Sequence, residues 1–198
     1  MLQGKSGPSP VTLPVVAVGS NEETAFGGAR EIVSRAPAAL EAAGLKPRAT
    51  SELFETPCFP AGYGPDFVNS VVLLESDLPP ERILAVLHRV EAEFGRKRRQ
   101  RWGPRTLDLD LIALGGVILP DATELRRWME LPPEAQTREV PDRLILPHPR
   151  LQERAFVLIP MAQLVPEWRH PLTGMRVREM IEALPEAEKA AIRPISAG

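Results

Sequence analysis

Apolar residues recur along this chain in two rhythms. Pro14 to Gly19 is a short Val-rich run that stops at Gly19-Ser20-Asn21, the pattern of a buried strand ending in a turn. Thr24 to Ala43 changes to helical spacing through Ile32, Val33, Ala36 and Leu40, with Gly44 placed as a C-cap and Pro37 as a point of kinking. Arg48 to Glu55 reads as a strand, Thr56 to Pro65 as a Pro- and Gly-rich loop, and Phe67 to Glu75 as a further strand. Pro79-Pro80-Glu81 opens a second helix, with proline in its first turn and an acid at the positive end of the dipole. Its stripe is Ile83, Leu84, Leu87, Val90 and Phe94, and Gly95 ends it. Thr106 to Leu114 is the next strand, closed by Gly115-Gly116.

The order βαββαβ is that of a ferredoxin-like α+β sandwich, with helices on one sheet face and the other face free to host a site. Asp121 to Asp142 breaks the rhythm with mixed Arg, Glu and Pro around a lone Trp128, and reads as an inserted arm or lid. Leu151 to Leu164 and Met175 to Leu184 read as C-terminal helices. Residues 1–12 read as a flexible leader and 13–198 as a single domain.

Composition narrows the function classes. With 43% apolar and 25% charged residues, the chain is an ordinary globular one, and its net charge of −2 argues against a protein that simply coats nucleic acid. One cysteine, Cys58, excludes an internal disulfide framework and a Cys-rich zinc site, and fits a reducing cytosol. No segment approaches the roughly 18 apolar residues that a membrane helix needs.

Local chemistry is more informative. In Thr106-Leu107-Asp108-Leu109-Asp110-Leu111 the alternation is strict, so the leucines face the core and both aspartates share the opposite face. Same-face neighbours on a strand lie about 6.5 to 7 Å apart. Two such carboxylates repel unless a cation joins them, and an all-oxygen donor set favours magnesium with phosphates completing its shell. A solvated polar face of an amphipathic strand explains the same pattern.

Immediately upstream, Gly95-Arg96-Lys97-Arg98-Arg99-Gln100-Arg101-Trp102-Gly103-Pro104-Arg105 concentrates guanidinium groups, which suit bidentate phosphate recognition. The run also fits a nucleic-acid patch with Trp102 stacking on a base. Its neighbours weigh against that, because a nucleic-acid surface gains little from two adjacent carboxylates. A site for magnesium and a triphosphate needs both signs. Glu91 and His88 lie on or beside the apolar stripe of the preceding helix, where an acid is either paired structurally or recruited to a ligand. Pro147-His148-Pro149-Arg150, followed by Arg154 and Phe156, fixes a histidine in a proline-bounded loop.

Gly19-Ser20-Asn21, Thr56-Pro57 with Asp66-Phe67-Val68-Asn69, the stretch from Gly95 to Asp110, and Pro147-His148-Pro149-Arg150 with Arg154-Ala155-Phe156 together resemble the 6-hydroxymethyl-7,8-dihydropterin pyrophosphokinases. The resemblance runs from about Val15 to about Pro166. It implies a cytosolic, monomeric, ferredoxin-like enzyme of folate biosynthesis with small-molecule substrates, acting on neither nucleic acid nor membrane. Such an enzyme moves the pyrophosphoryl group of ATP to the pterin hydroxymethyl and releases AMP.

By that resemblance Asp108 and Asp110 would bind two magnesium ions, while Arg96 and Arg105 would stabilise charge on the transferring group. Arg98, Arg101, Trp102, Arg143, His148 and Arg154 would contact ATP, with Glu91 and His88 beside it. The pterin would lie against Phe156 and Phe59 or Trp102, with Phe67 near it and Thr56, Pro57 and Asn69 reading its polar edge. This chain departs from the family pattern at Glu22-Glu23-Thr24, where a Leu-Gly-Asp type turn is usual. It also has Phe67 in place of a common Tyr, His88 in place of a common Gln, and a longer 121–142 insertion.

A palm-type two-metal nucleotidyltransferase and a non-enzymatic RNA-binding ferredoxin-like module are the competing readings. The first would release free pyrophosphate. The second would bind RNA without magnesium and with strong salt dependence.

Overall fold

The computed structural model describes residues 13–58, 64–95 and 106–196. The 1–12 leader expected from the sequence lies outside them. The chain runs β1 (Pro14–Ser20), α1 (Ala29–Ala42), β2 (Lys46–Thr50), β3 (Phe54–Thr56), β4 (Phe67–Glu75), α2 (Pro80–Glu93) and β5 (Asp108–Leu114). It continues with α3 (Ala122–Met129), α4 (Pro133–Arg138), a 3₁₀ turn at Leu151–Glu153, α5 (Ala155–Leu164), α6 (Val177–Ala183), α7 (Glu186–Ala190) and β6 (Arg193–Pro194). The sheet order is β5-β1-β4-β3-β6 with β2 also on β4, and every pairing is antiparallel. This is the α+β arrangement that the element order predicts.

Side-chain alternation assigns the two faces of the sheet. Val16 and Val18 of β1, Val68, Val72 and Leu74 of β4, and Leu109 and Leu111 of β5 pack on α1 and α2 through Ile32, Leu40, Ile83, Leu87 and Val90. The second face is not left free as the sequence suggests. Val15, Val71, Leu73, Ile112 and Ala113 lie beneath Val157, Leu158 and Met161 of α5 and Val177 and Met180 of α6. That explains why β1 and β4 read as continuous apolar runs, since both of their faces are covered over much of their length.

A register shift between Val15 and Val16 against β5 turns the adjacent Ile112 and Ala113 toward this same layer. The cover stops short of the strand ends that carry Gly19, Asn69, Asp108 and Asp110.

Three local departures have physical causes. The first helix starts at Ala29 rather than Thr24, because Thr24 and Gly27 exchange two backbone hydrogen bonds of 3.0 Å in a closed turn. Gly27 takes φ 116° there, a conformation that excludes helix. The predicted strand 48–55 is split at Ser51, whose hydroxyl accepts the Val71 N–H at 2.9 Å and locally replaces a ladder carbonyl. The arm is helical: Asp121 caps α3 by accepting from the N–H groups of Thr123 at 2.8 Å and Glu124 at 2.9 Å.

Candidate active site

Three strands place one polar row on the open part of the second face. Gly19 pairs with Asn69 across β4 and with Asp108 across β5, so these three residues stand in line on one face. One row along, Ala17 pairs with Val71 and with Asp110. The two β1 positions beside the aspartates are therefore the small residues Gly19 and Ala17. At Gly19 a Cβ would come to 3.0 Å from Asn69 Oδ1, so glycine lets the Asn69 amide lie over the strand. Asn69 Nδ2 donates to Thr56 Oγ1 at 2.8 Å, and both residues are buried. Phe67 pairs with Thr56, is half-buried, and shares their face. Pro57 is exposed beside them.

The acidic end is held from the other side. Glu91 is buried on α2, and its Oε1 accepts the backbone N–H of Leu109 at 2.8 Å, between the two aspartates. The same outer edge of β5 is met by the loop that precedes α5, where the His148 N–H donates to the Ile112 carbonyl at 2.8 Å. Asp108 and Asp110 are both part-exposed. Arg154, at the entrance of α5, reaches Asp110 Oδ2 at 3.4 Å and holds its guanidinium 5.7 Å from the ring of the exposed Phe156.

Burial pushes the His148 imidazole well below its ordinary pKa of 6.5, and the Arg154 and Arg150 guanidinium groups press in the same direction. His148 is thus neutral near pH 7. Its Nδ1 accepts the Arg150 N–H at 3.1 Å, which leaves Nε2 to carry the proton.

A cleft of about 620 Å3 joins Asp110, His148 and Arg154 to Arg143, Leu84, Leu144, Ile145, Trp128 and Val140. The sequence singles out the first four of these residues. The others were not anticipated at a site, because Leu84 and Ile145 look like ordinary core positions and Trp128 and Val140 sit in the arm. His88 is exposed on α2 and is not among the residues lining the cleft. Arg143 is exposed and pairs with its neighbour Asp142 at 3.1 Å. Phe59, Arg96, Arg98, Arg101, Trp102 and Arg105 lie outside the described residues.

The described residues on either side of 96–105, Phe94 and Thr106, meet the turn after β1. Thr106 Oγ1 donates to Glu22 Oε2 at 3.0 Å, and the rings of Phe26 and Phe94 meet at a tilt of 41° with centroids 5.5 Å apart. No helix among the described residues is long and apolar enough to cross a membrane.

Residues 15–166 match the model of the 7,8-dihydro-6-hydroxymethylpterin-pyrophosphokinase (HPPK) family. Similar proteins named 2-amino-4-hydroxy-6-hydroxymethyldihydropteridine pyrophosphokinase include one from Synechocystis, 37% identical over 134 residues, which are 68% of this chain and 57% of that protein. One from Pseudomonas aeruginosa is 40% identical over 121 residues, 61% of this chain and 62% of its own length. One from Bacillus subtilis is 34% identical over 153 residues, 75% of each. The matched stretch thus spans under two thirds of the first two relatives. A crystal structure of a Plasmodium falciparum HPPK-DHPS triple mutant with pterin and p-hydrobenzoate superposes with a TM-score of 0.62 at 15% identity, covering 97% of this chain and 49% of that one. That likeness speaks to the fold.

Proposed function

The chain belongs to the 7,8-dihydro-6-hydroxymethylpterin-pyrophosphokinase family, and from that premise we propose that it transfers the pyrophosphoryl group of MgATP to the hydroxymethyl oxygen of 6-hydroxymethyl-7,8-dihydropterin, releasing AMP. The observation that carries this reading is the row Asp108–Gly19–Asn69 across three neighbouring strands. It sets a carboxylate for cation and phosphate chemistry on the same open face as an amide for a heterocycle edge, with no side chain between them.

Asp108 and Asp110 are the residues that would hold magnesium. Their donor chemistry fits: two hard carboxylates on a part-exposed face, beside the small Ala17 and Gly19. Among the described residues no third His, Cys, Asp or Glu joins them in a ligating group, so phosphate oxygens and water would complete the shell. When bound, the ion neutralises charge on the triphosphate.

The remaining roles belong to side chains. Arg154 now offsets the charge of Asp110. Its planar guanidinium would equally suit a phosphate oxygen of the nucleotide. Neutral His148 offers its Nε2–H to an oxygen of the nucleotide. Asn69, oriented by Thr56, reads the polar edge of the pterin, with Phe67 and Phe156 supplying aromatic faces. Arg143 lines the same cleft and would meet the nucleotide there. Arg96, Arg98, Arg101, Trp102, Arg105 and Phe59 take the parts that the sequence resemblance implies. Phosphoryl-type transfer asks mainly for positioning and charge neutralisation, and this set is built for both.

Single substitutions test the assignment. Asp108→Ala and Asp110→Ala, each shown to be folded by circular dichroism, are expected to slow turnover by at least about a hundredfold. Near-normal turnover in either contradicts it.

A further inference from the structure

The arm between β5 and His148 is tied off at its base, where Leu119 and Leu146 exchange backbone hydrogen bonds of 2.9 and 3.1 Å. It has a small core of its own, Leu125 and Trp128 against Ile145, a residue that also lines the cleft. Arg127 locks its far end: the guanidinium lies 5.3 Å from the Trp128 ring centroid and reaches Glu124 at 3.0 Å and Glu139 at 2.9 Å. Trp128 Nε1 donates to Glu124 Oε1 at 2.8 Å. Since Glu139 is the residue that ends α4, this clamp fixes where the chain goes next, which is Val140-Pro141. Val140 is 69% exposed, yet it lines the same cleft as Asp110, His148 and Arg154.

The cleft is lined by two chemical kinds of side chain. Asp110, His148 and Arg154 are of one kind, suited to a polyphosphate and its cation. Leu84, Leu144 and Ile145 are of the other, apolar and able to take a flat base. Resting on the function proposed above, we infer that the inserted arm is an added wall of the nucleotide site and that Val140 covers the base end of bound ATP. Arg127 is then a positioning residue, acting through Val140. An exposed valine held by a clamp and a proline loses little entropy when a ligand covers it, and it gains by leaving water. The arm on this account tunes affinity for the nucleoside and leaves the pterin alone.

The test is Val140→Asn, which nearly keeps the volume of valine and adds no charge, so its effect reads contact rather than field. Val140→Leu is the conservative control. Initial rates are measured with ATP and the dihydropterin varied independently, and AMP binding is measured by calorimetry. The expected result for Val140→Asn is a KM for ATP raised about fivefold, with matching weakening of AMP binding and an unmoved KM for the pterin; Val140→Leu stays near wild type. An unchanged KM for ATP and unchanged AMP affinity in folded Val140→Asn overturn the inference. If the wild type binds AMP and Val140→Asn weakens that binding, but no pyrophosphoryl transfer occurs, the nucleotide wall stands and the proposed activity falls. If the wild type binds no AMP, the inference is overturned.

Discussion

Glu91 Oε1 accepts the backbone N–H of Leu109 at 2.8 Å, so a buried carboxylate on α2 holds the strand at the residue between Asp108 and Asp110. The contact is a positioning one, because the bond goes to the backbone that carries both aspartates. Glu91→Gln keeps an acceptor oxygen and is expected to retain both stability and most of the turnover. Glu91→Leu leaves the Leu109 N–H without this acceptor and is expected to lose about 1–3 kcal/mol of stability together with turnover. Urea unfolding of the two variants checks this. Equal stability of Leu and Gln at this position would show that the bond does not hold the strand.

Gly19 separates Asn69 from Asp108, and the Cβ of an alanine there would stand 3.0 Å from Asn69 Oδ1. The Asn69 amide must then give by a few tenths of an ångström, which perturbs its 2.8 Å hydrogen bond with Thr56. Gly19→Ala is expected to raise KM for the pterin about three- to tenfold with KM for ATP little changed. The measurement is again initial rates with each substrate varied. A rise confined to ATP would mean that Asn69 does not face the pterin.

His170 supplies a pH dependence away from the site. It is buried, its Nδ1 accepts from the N–H of Leu172 at 3.2 Å, and burial lowers its pKa from the ordinary 6.5. The unfolded chain therefore takes up the proton first as pH falls. Its contribution to stability is full above about pH 6.5 and is lost as pH drops from there toward the lowered folded value. His148, lowered for the same main reason, adds to the same trend. The melting temperature is expected to fall between pH 7 and pH 5, and His170→Asn, which keeps an acceptor for the turn, is expected to flatten that fall. An unaltered slope in His170→Asn would remove His170 from the explanation.

Much of this arrangement is legible in the sequence. The strict alternation from Thr106 to Leu111 is enough to put Asp108 and Asp110 on one face, because a strand has no other way to bury the leucines. The cover over half the second face is not legible, since it depends on α5 and α6 packing back from far along the chain onto Val15, Val71 and Ile112. The break at Ser51 escapes a local reading for a similar reason, as the hydroxyl is committed to Val71 of a strand that follows it. Asp121 caps α3, but the arm's apolar stripe is short and its tie to the cleft runs through Arg127, an exposed residue of ordinary appearance. Glu91 was marked by its place on an apolar stripe, while the identity of its partner needed the fold.

The most direct measurement is a phosphorus balance on the purified protein given MgATP and 6-hydroxymethyl-7,8-dihydropterin. Pyrophosphoryl transfer predicts AMP and pterin diphosphate in equal amounts, with the γ-phosphorus of ATP recovered on the pterin. ADP with a pterin monophosphate, or free pyrophosphate with the nucleotide joined to the acceptor, would contradict it.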